Sequence, residues 1–215
     1  MTRRARSRSC RPLLCLMGAI WLTLGGPAAH AAEPRAVRSL LEIRQDRVVV
    51  QNWDLSCGAA ALATVLNHQH GDPVSEREVA IGLIGREEYL ADPELVQRRQ
   101  GFSLLDLNRY AERRGYQGIG YGGLALDHLL GLAPAIVPVS LNGYDHFVVF
   151  RGRQGDRVLL ADPAWGNRTM RVERFERGWI DYPQFGKVAF VVARRDGAAP
   201  PNRLAPRLRE FLFLR

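Results

Sequence analysis

The first half of the chain carries apolar residues three and four positions apart, the spacing that places them on one face of a helix. This pattern predicts an alanine-rich helix over residues 57–68, with Ser56 or Asp54 available to cap it. Two further helices, 75–83 and 101–114, each have a serine near the start and an acidic residue three positions later, which is a capping-box pattern. A shorter helix is predicted over 124–130.

The second half changes to short runs rich in β-branched and aromatic residues, separated by glycine-containing turns. Together with one earlier run, these predict strands at 47–51, 135–141, 146–151, 157–161 and 187–192. Helices followed by antiparallel strands predict an α+β domain with its first helix packed on the sheet. Residues 196–202 are typical of a linker, and 208–215 are too few to hold a core of their own.

The N-terminal residues 1–31 have the three-part layout of a secretory signal peptide, with a basic start, an apolar run over 13–24 and small residues before Ala31. The apolar run is shorter than the roughly 20 residues that span a bilayer, which favours a cleaved signal peptide over the alternative, an uncleaved anchor. We therefore expect a signal peptide at 1–31, a domain at 32–193 and a tail at 194–215. This layout predicts a periplasmic protein with no stable membrane span after cleavage.

Removal of the signal peptide changes the charge of the chain. The full sequence of 215 residues has a formal net charge of +8, which falls to +3 once the five arginines of the basic start are lost. The remaining basic residues are interspersed with acidic ones, and no basic stripe with interleaved aromatic residues is present. Nucleic-acid binding is therefore not predicted.

Cysteine usage is sparse and informative. Cys10 and Cys15 lie in the signal peptide, so the mature protein keeps Cys57 alone and forms no internal disulfide. Cys57 opens the first helix, where free N–H groups and the helix dipole favour a thiolate. A nucleophile is one interpretation. An inert buried thiol and an intermolecular disulfide are the alternatives.

A histidine base is the next requirement, and His146 is the best placed of the five because it opens a strongly apolar strand. His68 and His70 lie at the far end of the first helix and His128 in a weak one, so neither a base nor a metal site is predicted there. Asp162 ends the following strand, which an antiparallel hairpin would bring beside His146. A satisfied core histidine and a turn-forming Asp-Pro are the alternatives for these two residues.

Gln51, six residues before Cys57, could supply an oxyanion donor if the turn before the helix folds back. The alternative is an ordinary polar residue at a strand end. The ordered set of Gln51, the Cys57-Gly-x-Ala-Ala-Leu motif, the His146-Phe-Val-Val motif and Ala-Asp162-Pro-Ala resembles the peptidase C39 family over residues 48–192.

These are papain-like cysteine peptidases, best known as the leader-cleaving domains of bacteriocin exporters. The resemblance implies a papain-like α+β fold and a polypeptide substrate, with no cofactor. By the same resemblance Cys57 is the nucleophile, His146 the base, Asp162 the residue that orients His146, and Gln51 the oxyanion donor.

Two departures limit what the resemblance implies. Ser56 stands where exporter domains usually have an aspartate, and the predicted signal peptide contrasts with their cytosolic location and fusion to a transporter. The segment 98–116 is similar to stand-alone, exported C39-like proteins, including the component of functional-amyloid (Fap) secretion systems. We therefore expect cleavage of a secreted or outer-membrane-directed polypeptide. A catalytically silent, peptide-binding accessory of a secretion system is the alternative.

Overall fold

The computed structural model describes residues 37–85, 91–92, 94–98, 101–141 and 143–214. The predicted signal peptide lies outside these residues. Among the described helices, none is long and apolar enough to cross a membrane.

A six-stranded antiparallel sheet forms the centre of the domain, with the spatial order β1-β8-β2-β3-β4-β5. Strands β2 to β5 form a meander, and β8 returns to lie between β1 and β2. A separate two-stranded ribbon pairs β6 with β7. The strands are β1 Tyr116–Tyr121, β2 Ala135–Leu141, β3 Tyr144–Gln154, β4 Arg157–Asp162, β5 Gly166–Arg171, β6 Asp181–Tyr182, β7 Gly186–Lys187 and β8 Ala189–Arg194.

The central strands are apolar at almost every position because both faces of the sheet are covered. Successive side chains of β3 point to opposite faces, so Phe147 and Val149 pack in the core that also contains the residues of the helix 57–65. Val148 and Phe150 belong to the second core, together with Phe175. This two-sided burial gives the continuous hydrophobic runs from which the strands were predicted.

The four predicted helices are found at their expected positions, and the described residues form four more that were not predicted, at 40–44, 95–98, 172–178 and 208–213. In chain order, the helices are α1 Leu40–Arg44, α2 Cys57–Val65, α3 Glu76–Ile84, α4 Leu95–Arg98, α5 Leu104–Arg113, α6 Leu126–Leu132, α7 Val172–Gly178 and α8 Leu208–Phe213. Helix α2 continues as a π-helical turn, Leu66–His70, and ends at Gly71, whose φ of 72° is left-handed. Both predicted capping boxes are formed, at Ser75 with Glu78 and at Ser103 with Asp106.

Helix α2 is buried along its whole length between the sheet and two other helices. Its small residues permit this close packing. A Cβ atom added at Gly58 would lie 3.3 Å from Phe147 Cδ2 on β3 and 3.6 Å from Leu107 Cδ2 on α5. The glycine after Cys57 therefore holds the start of the helix against the strand that carries His146.

The strand predicted at 47–51 is wrong. The segment runs beside α2 outside the sheet, where the Val49 amide donates to Thr64 Oγ1 at 2.9 Å and the Gln51 amide donates to the Pro163 carbonyl at 2.8 Å. Its β-branched residues pack against the core, but these backbone N–H groups bond to a side chain and to a loop carbonyl instead of to a neighbouring strand. Strand β5, by contrast, was missed because it is polar in sequence.

Part of the segment after residue 194, for which the sequence indicated a linker and a tail, packs against the rest of the domain. Leu204, Phe211 and Leu214 are buried. Fully buried Arg151 donates through Nε to the Leu204 carbonyl at 2.7 Å and lies 3.0 Å from Glu210 Oε1. Burial lowers the pKa of Arg151 to about 10, even with Glu210 beside it.

Candidate active site

Three of the predicted site residues meet where two strands and one helix come together. Cys57 is the first residue of α2, His146 lies near the start of β3, and Asp162 ends β4. The β3–β4 ladder pairs Val149 with Ala161, which brings Asp162 level with the beginning of β3. An antiparallel hairpin thus joins two residues that are sixteen positions apart in the sequence.

His146 and Asp162 form a buried hydrogen-bonded pair. Since a carboxylate only accepts hydrogen bonds, Nε2–H of His146 donates to Asp162 Oδ1, at 2.8 Å. The Ala164 amide also donates to Oδ1 at 2.9 Å, and Arg168 Nη1 donates to Oδ2 at 3.3 Å. Burial disfavours the charged carboxylate, but the hydrogen bond from His146 and its charge outweigh this and lower the pKa of Asp162.

The pKa of His146 moves in the opposite direction. Burial disfavours the charged ring, yet the hydrogen bonds to Asp162 and Cys57 and the charges of both residues raise the pKa to about 9. Apart from its interaction with Cys57, the ring nitrogen Nδ1 is buried and has no hydrogen-bond partner among the described residues. The raised pKa favours the imidazolium at neutral pH, and Nδ1 is the ring nitrogen that Asp162 does not bind.

Cys57 is 4% exposed and lies at the floor of a pocket of about 360 Å³. His146 and Phe147 form one wall of this pocket, and the segment before α5 forms another, with Gly101 and Phe102. Pro138, Ile180 and Tyr182 complete a mostly apolar lining. A substrate group that enters the pocket meets the thiol and the imidazole together.

The loop 52–56, which leads into Cys57, is strained and firmly held. Leu55 has a left-handed φ of 67°, which costs about 1–2 kcal/mol for a residue other than glycine. Buried Glu76, at the start of α3, accepts hydrogen bonds from the Asn52 amide and from Asn52 Nδ2 at 2.9 Å. It also accepts from Ser56 Oγ. Ser56 is the N-cap residue of α2 by position, but its side chain makes no capping bond, contrary to one option in the sequence analysis.

Gln51 is tied to the site through its backbone, whereas its side chain is engaged elsewhere. Its amide bond to Pro163 places it beside the loop that follows Asp162. Its side-chain Nε2 donates to the Trp53 carbonyl at 3.2 Å, and its Oε1 is buried without a partner among the described residues. The oxyanion role of Gln51 stays a prediction.

The sequence signature of the peptidase C39 family matches residues 45–185. This chain belongs to the peptidase C39 family. It is 42% identical over 159 residues to a protein of Pseudomonas aeruginosa named "probable functional amyloid protease FapD", which covers 73% of this chain and 68% of that protein. A protein of the same name from Pseudomonas fluorescens is 39% identical over 174 residues, covering 78% and 73%.

Solved structures of C39 domains share the fold. A double glycine motif protease from an AMS/PCAT transporter, crystallised with its leader peptide, has a TM-score of 0.53 and 26% identity, covering 68% of this chain and 90% of that one. The peptidase domain of Streptococcus ComA also has a TM-score of 0.53, at 22% identity, covering 69% and 98%. The predicted family and the papain-like α+β fold are confirmed.

The other histidines of this C39 domain do not approach Cys57 in any described contact. His70 Nε2 lies 3.0 Å from the Val192 carbonyl, and its ring packs on Tyr116. His128 Nδ1 accepts from the Ala125 amide at the start of α6. Within the described part of the chain, no group of three or more His, Cys, Asp or Glu residues could hold a metal ion.

Sequence reasoning missed two residues that support the site. Glu76 holds the loop before Cys57, and Arg168 lies on the outer oxygen of Asp162. In the sequence Glu76 is one of two acids in the first turn of α3, and the capping box accounts only for Glu78. No sequence signal separates Glu76 from an ordinary first-turn acid.

Proposed function

We propose that this chain is an exported cysteine endopeptidase that hydrolyses peptide bonds of a secreted or outer-membrane-directed polypeptide. The observation that carries the proposal is the buried His146–Asp162 hydrogen bond beside Cys57 at the floor of a pocket. A thiol, an imidazole and a carboxylate in this order are the parts that nucleophilic acyl transfer needs.

In the proposed mechanism the Cys57 thiolate attacks the carbonyl carbon of the scissile bond, and a tetrahedral oxyanion forms. The protonated His146 ring gives its Nδ1 proton to the leaving amine as the C–N bond breaks, which leaves an acyl-enzyme and a neutral imidazole. His146 then takes a proton from water, whose oxygen attacks the thioester carbon. The C–S bond breaks, the acid product leaves, and the Cys57 thiolate and the protonated His146 are restored. Asp162 keeps the ring oriented and favours the imidazolium.

Hydrogen-bond donors for the oxyanion come from the start of α2 and from Gln51. The Ser56 side chain does not cap α2, so it does not compete for the N–H groups of the first turn. Gln51 Nε2 exchanges its bond to the Trp53 carbonyl for one to the oxyanion. This assignment predicts a larger loss of kcat than of substrate affinity when Gln51 is replaced.

The proposed substrate follows from the names of the relatives and from the proposed export of this chain. The two curated relatives are named as functional amyloid proteases, and the solved relative as a double glycine motif protease with a leader peptide. We propose that the cleaved segment is a flexible, Gly/Ala-rich stretch, because unfolded backbone enters a cleft without loss of core packing.

Residues 1–31 are proposed to act as a cleaved signal peptide that delivers the domain to the periplasm. The mature chain then begins near Ala32 or Glu33. Periplasmic fractionation followed by N-terminal sequencing checks this. A membrane-bound product that still begins at Met1 would support the uncleaved anchor instead.

The peptidase proposal is tested by comparing protein termini in cells that carry wild-type protein, Cys57→Ala or His146→Ala. His128→Ala is the matched control, since the bond that the described residues give His128 is a local one to the start of α6. Mass spectrometry of terminal peptides should reveal cut sites that depend on Cys57 and His146 and are unaffected by His128→Ala. If no terminus depends on Cys57, the chain acts as a peptide-binding accessory.

A further inference from the structure

A second and larger pocket, of about 620 Å³, lies along β5, the edge strand of the sheet. Six of its eleven lining residues are arginines, and none of the eleven is acidic. We call it the arginine groove, and its arginines are Arg44, Arg157, Arg168, Arg171, Arg174 and Arg177. None of the residues that line it also lines the Cys57 pocket.

The fold gathers these arginines from separate parts of the chain. Arg44 ends α1, Arg157 begins β4, and Arg168 lies on β5. The remaining three follow at intervals of three residues from the end of β5 along α7, a spacing that keeps them on neighbouring positions of one helix side. The concentration of charge is thus a property of the folded domain.

Among the described residues, the contacts of the groove arginines include both a carboxylate and neutral groups. Arg168 lies 3.3 Å from Asp162 Oδ2, which gives that arginine a carboxylate partner. Arg157 instead donates to Thr169 Oγ1 and to the Thr169 carbonyl, which are neutral groups. Arg171 and Arg177 are exposed. A concave surface with clustered guanidinium groups produces a positive potential that attracts anions.

The groove begins directly behind the Cys-His-Asp site. Arg168 reaches Asp162 from the groove side, and Trp165 follows Asp162 by three residues. The Trp165 amide donates to the Asp162 carbonyl at 3.2 Å, while its side chain is 64% exposed and lines the groove. The arginine groove and the active site therefore share the segment that follows Asp162.

We propose that the arginine groove is an exosite that binds an acidic segment of the polypeptide substrate. This deepens the proposed peptidase function and rests on it for the identity of the ligand. Guanidinium groups bind carboxylates through two parallel hydrogen bonds, and exposed Trp165 offers an apolar surface for the aliphatic stems of glutamate. A segment rich in Asp and Glu fits both features.

Binding is tested without hydrolysis, on Cys57→Ala protein. Fluorescence anisotropy measures its affinity for a short fluorescein-labelled peptide rich in glutamate and for the same peptide with glutamine in place of glutamate. Wild-type arginines should favour the glutamate peptide, more strongly at low salt than at high salt. Equal affinity for the two peptides would overturn the proposal.

Charge reversal at Arg171→Glu and Arg177→Glu together should weaken binding of the glutamate peptide roughly tenfold, since two attractions become repulsions. The matched control reverses exposed Arg77 and Arg113, which carry the same charge on α3 and α5, outside the groove. Thermal unfolding of each variant confirms that it is folded. Equal weakening in both double variants would show a non-specific charge effect and refute the exosite.

Inorganic polyphosphate is the competitor that separates a peptide site from a general polyanion site. If polyphosphate does not displace the glutamate peptide when both are present at the same concentration of negative charge, the exosite is supported. If polyphosphate displaces the peptide at a far lower charge concentration, the groove is a polyphosphate site instead. In a final measurement, an acidic segment is added to a peptide that the enzyme hydrolyses. The added segment should lower KM without changing kcat, and the double variant Arg171→Glu, Arg177→Glu should not show this decrease in KM. If nothing is hydrolysed, the proposed function fails while the binding measurements still decide the groove.

Discussion

Glu76 gives the sharpest single test of how the site is held. Its carboxylate accepts from the Asn52 amide, from Asn52 Nδ2 and from Ser56 Oγ, and it is 3% exposed. Replacement by alanine removes the only carboxylate that the described contacts place on the loop 52–56. The loop contains the strained Leu55 and leads directly into Cys57.

The cost of Glu76→Ala follows from the three donor groups. A hydrogen bond to a charged acceptor contributes about 1.5–3 kcal/mol net, but Asn52 is exposed and its donors can turn to water. We therefore expect a loss of about 3 kcal/mol in the free energy of unfolding. Release of the loop also lets Leu55 relax, which moves the start of α2 and should lower kcat by about 10²-fold.

Glu76→Gln is the conservative variant that separates position from charge. The glutamine oxygen can accept from Asn52, and its NH₂ group can donate to Ser56 Oγ, which then donates to the Trp53 carbonyl at 2.6 Å. This variant should lose less than about 1.5 kcal/mol of stability and keep most of its kcat. The assays are urea denaturation and hydrolysis of a fluorogenic peptide.

Glu78→Ala serves as the control, since Glu78 caps the same helix and has no contact with the loop among the described bonds. It should leave kcat unchanged. The reasoning fails if Glu76→Ala keeps the wild-type kcat while folded, or if Glu76→Gln loses as much kcat as Glu76→Ala.

Three further predictions concern the buried charges. Because the folded-state pKa of His146 is raised from 6.5 to about 9, its charged form stabilises the fold fully below pH 6.5, and this stabilisation is lost as the pH rises through about 9. Urea denaturation across this pH window should show a loss of up to about 3 kcal/mol in the free energy of unfolding, and Asp162→Asn should make this loss smaller. The value of kcat/KM should also fall on the alkaline side. A free energy of unfolding that does not change with pH would contradict the raised pKa of His146. His146→Ala should abolish peptide hydrolysis, whereas Asp162→Asn should keep a residual rate, roughly 10²- to 10⁴-fold below wild type, because the ring is still present; full activity of both variants would refute the triad. Glu210→Ala should lower the free energy of unfolding by about 3–5 kcal/mol, since it leaves Arg151 buried without its carboxylate. The control is Asp196→Ala, which breaks an exposed pair with Arg194 and should leave the denaturation midpoint nearly unchanged. Equal shifts of the midpoint in the two variants would contradict the prediction.

The sequence predicted the site residues that lie on regular helices and strands. Cys57 opens a helix with a clear pattern, and His146 and Asp162 lie on consecutive strand-like runs, so a hairpin was enough to pair them. The orientation of the Gln51 side chain depends on a loop carbonyl two residues away, which periodicity does not encode. Glu76 comes to the loop 52–56 through packing of α3 on α2, a tertiary contact.

The fold was predictable where residues are buried and less so at the edges. Edge strand β5 reads as a turn followed by polar residues, because its buried Asn167 and Thr169 side chains are accommodated by hydrogen bonds to the Asp46 and Leu214 carbonyls. Strand β1 contains two glycines, Gly118 and Gly120, and its pairing with β8 joins residues that are 68 to 78 positions apart in the sequence. Such pairings are decided by the assembled sheet, and local patterns do not specify them.

The buried position of Arg151 has a consequence for the order in which the domain matures. A ribosome delivers the chain N-terminus first, so Cys57, His146 and Asp162 emerge well before residues 204–214. Until those residues arrive, Arg151 has neither the Leu204 carbonyl nor Glu210, and the edge of β5 lacks its bond from Thr169 to the Leu214 carbonyl. Burial of Arg151 is thereby linked to residues that arrive late, so a partly synthesised chain lacks the carboxylate and the carbonyl that bind this arginine.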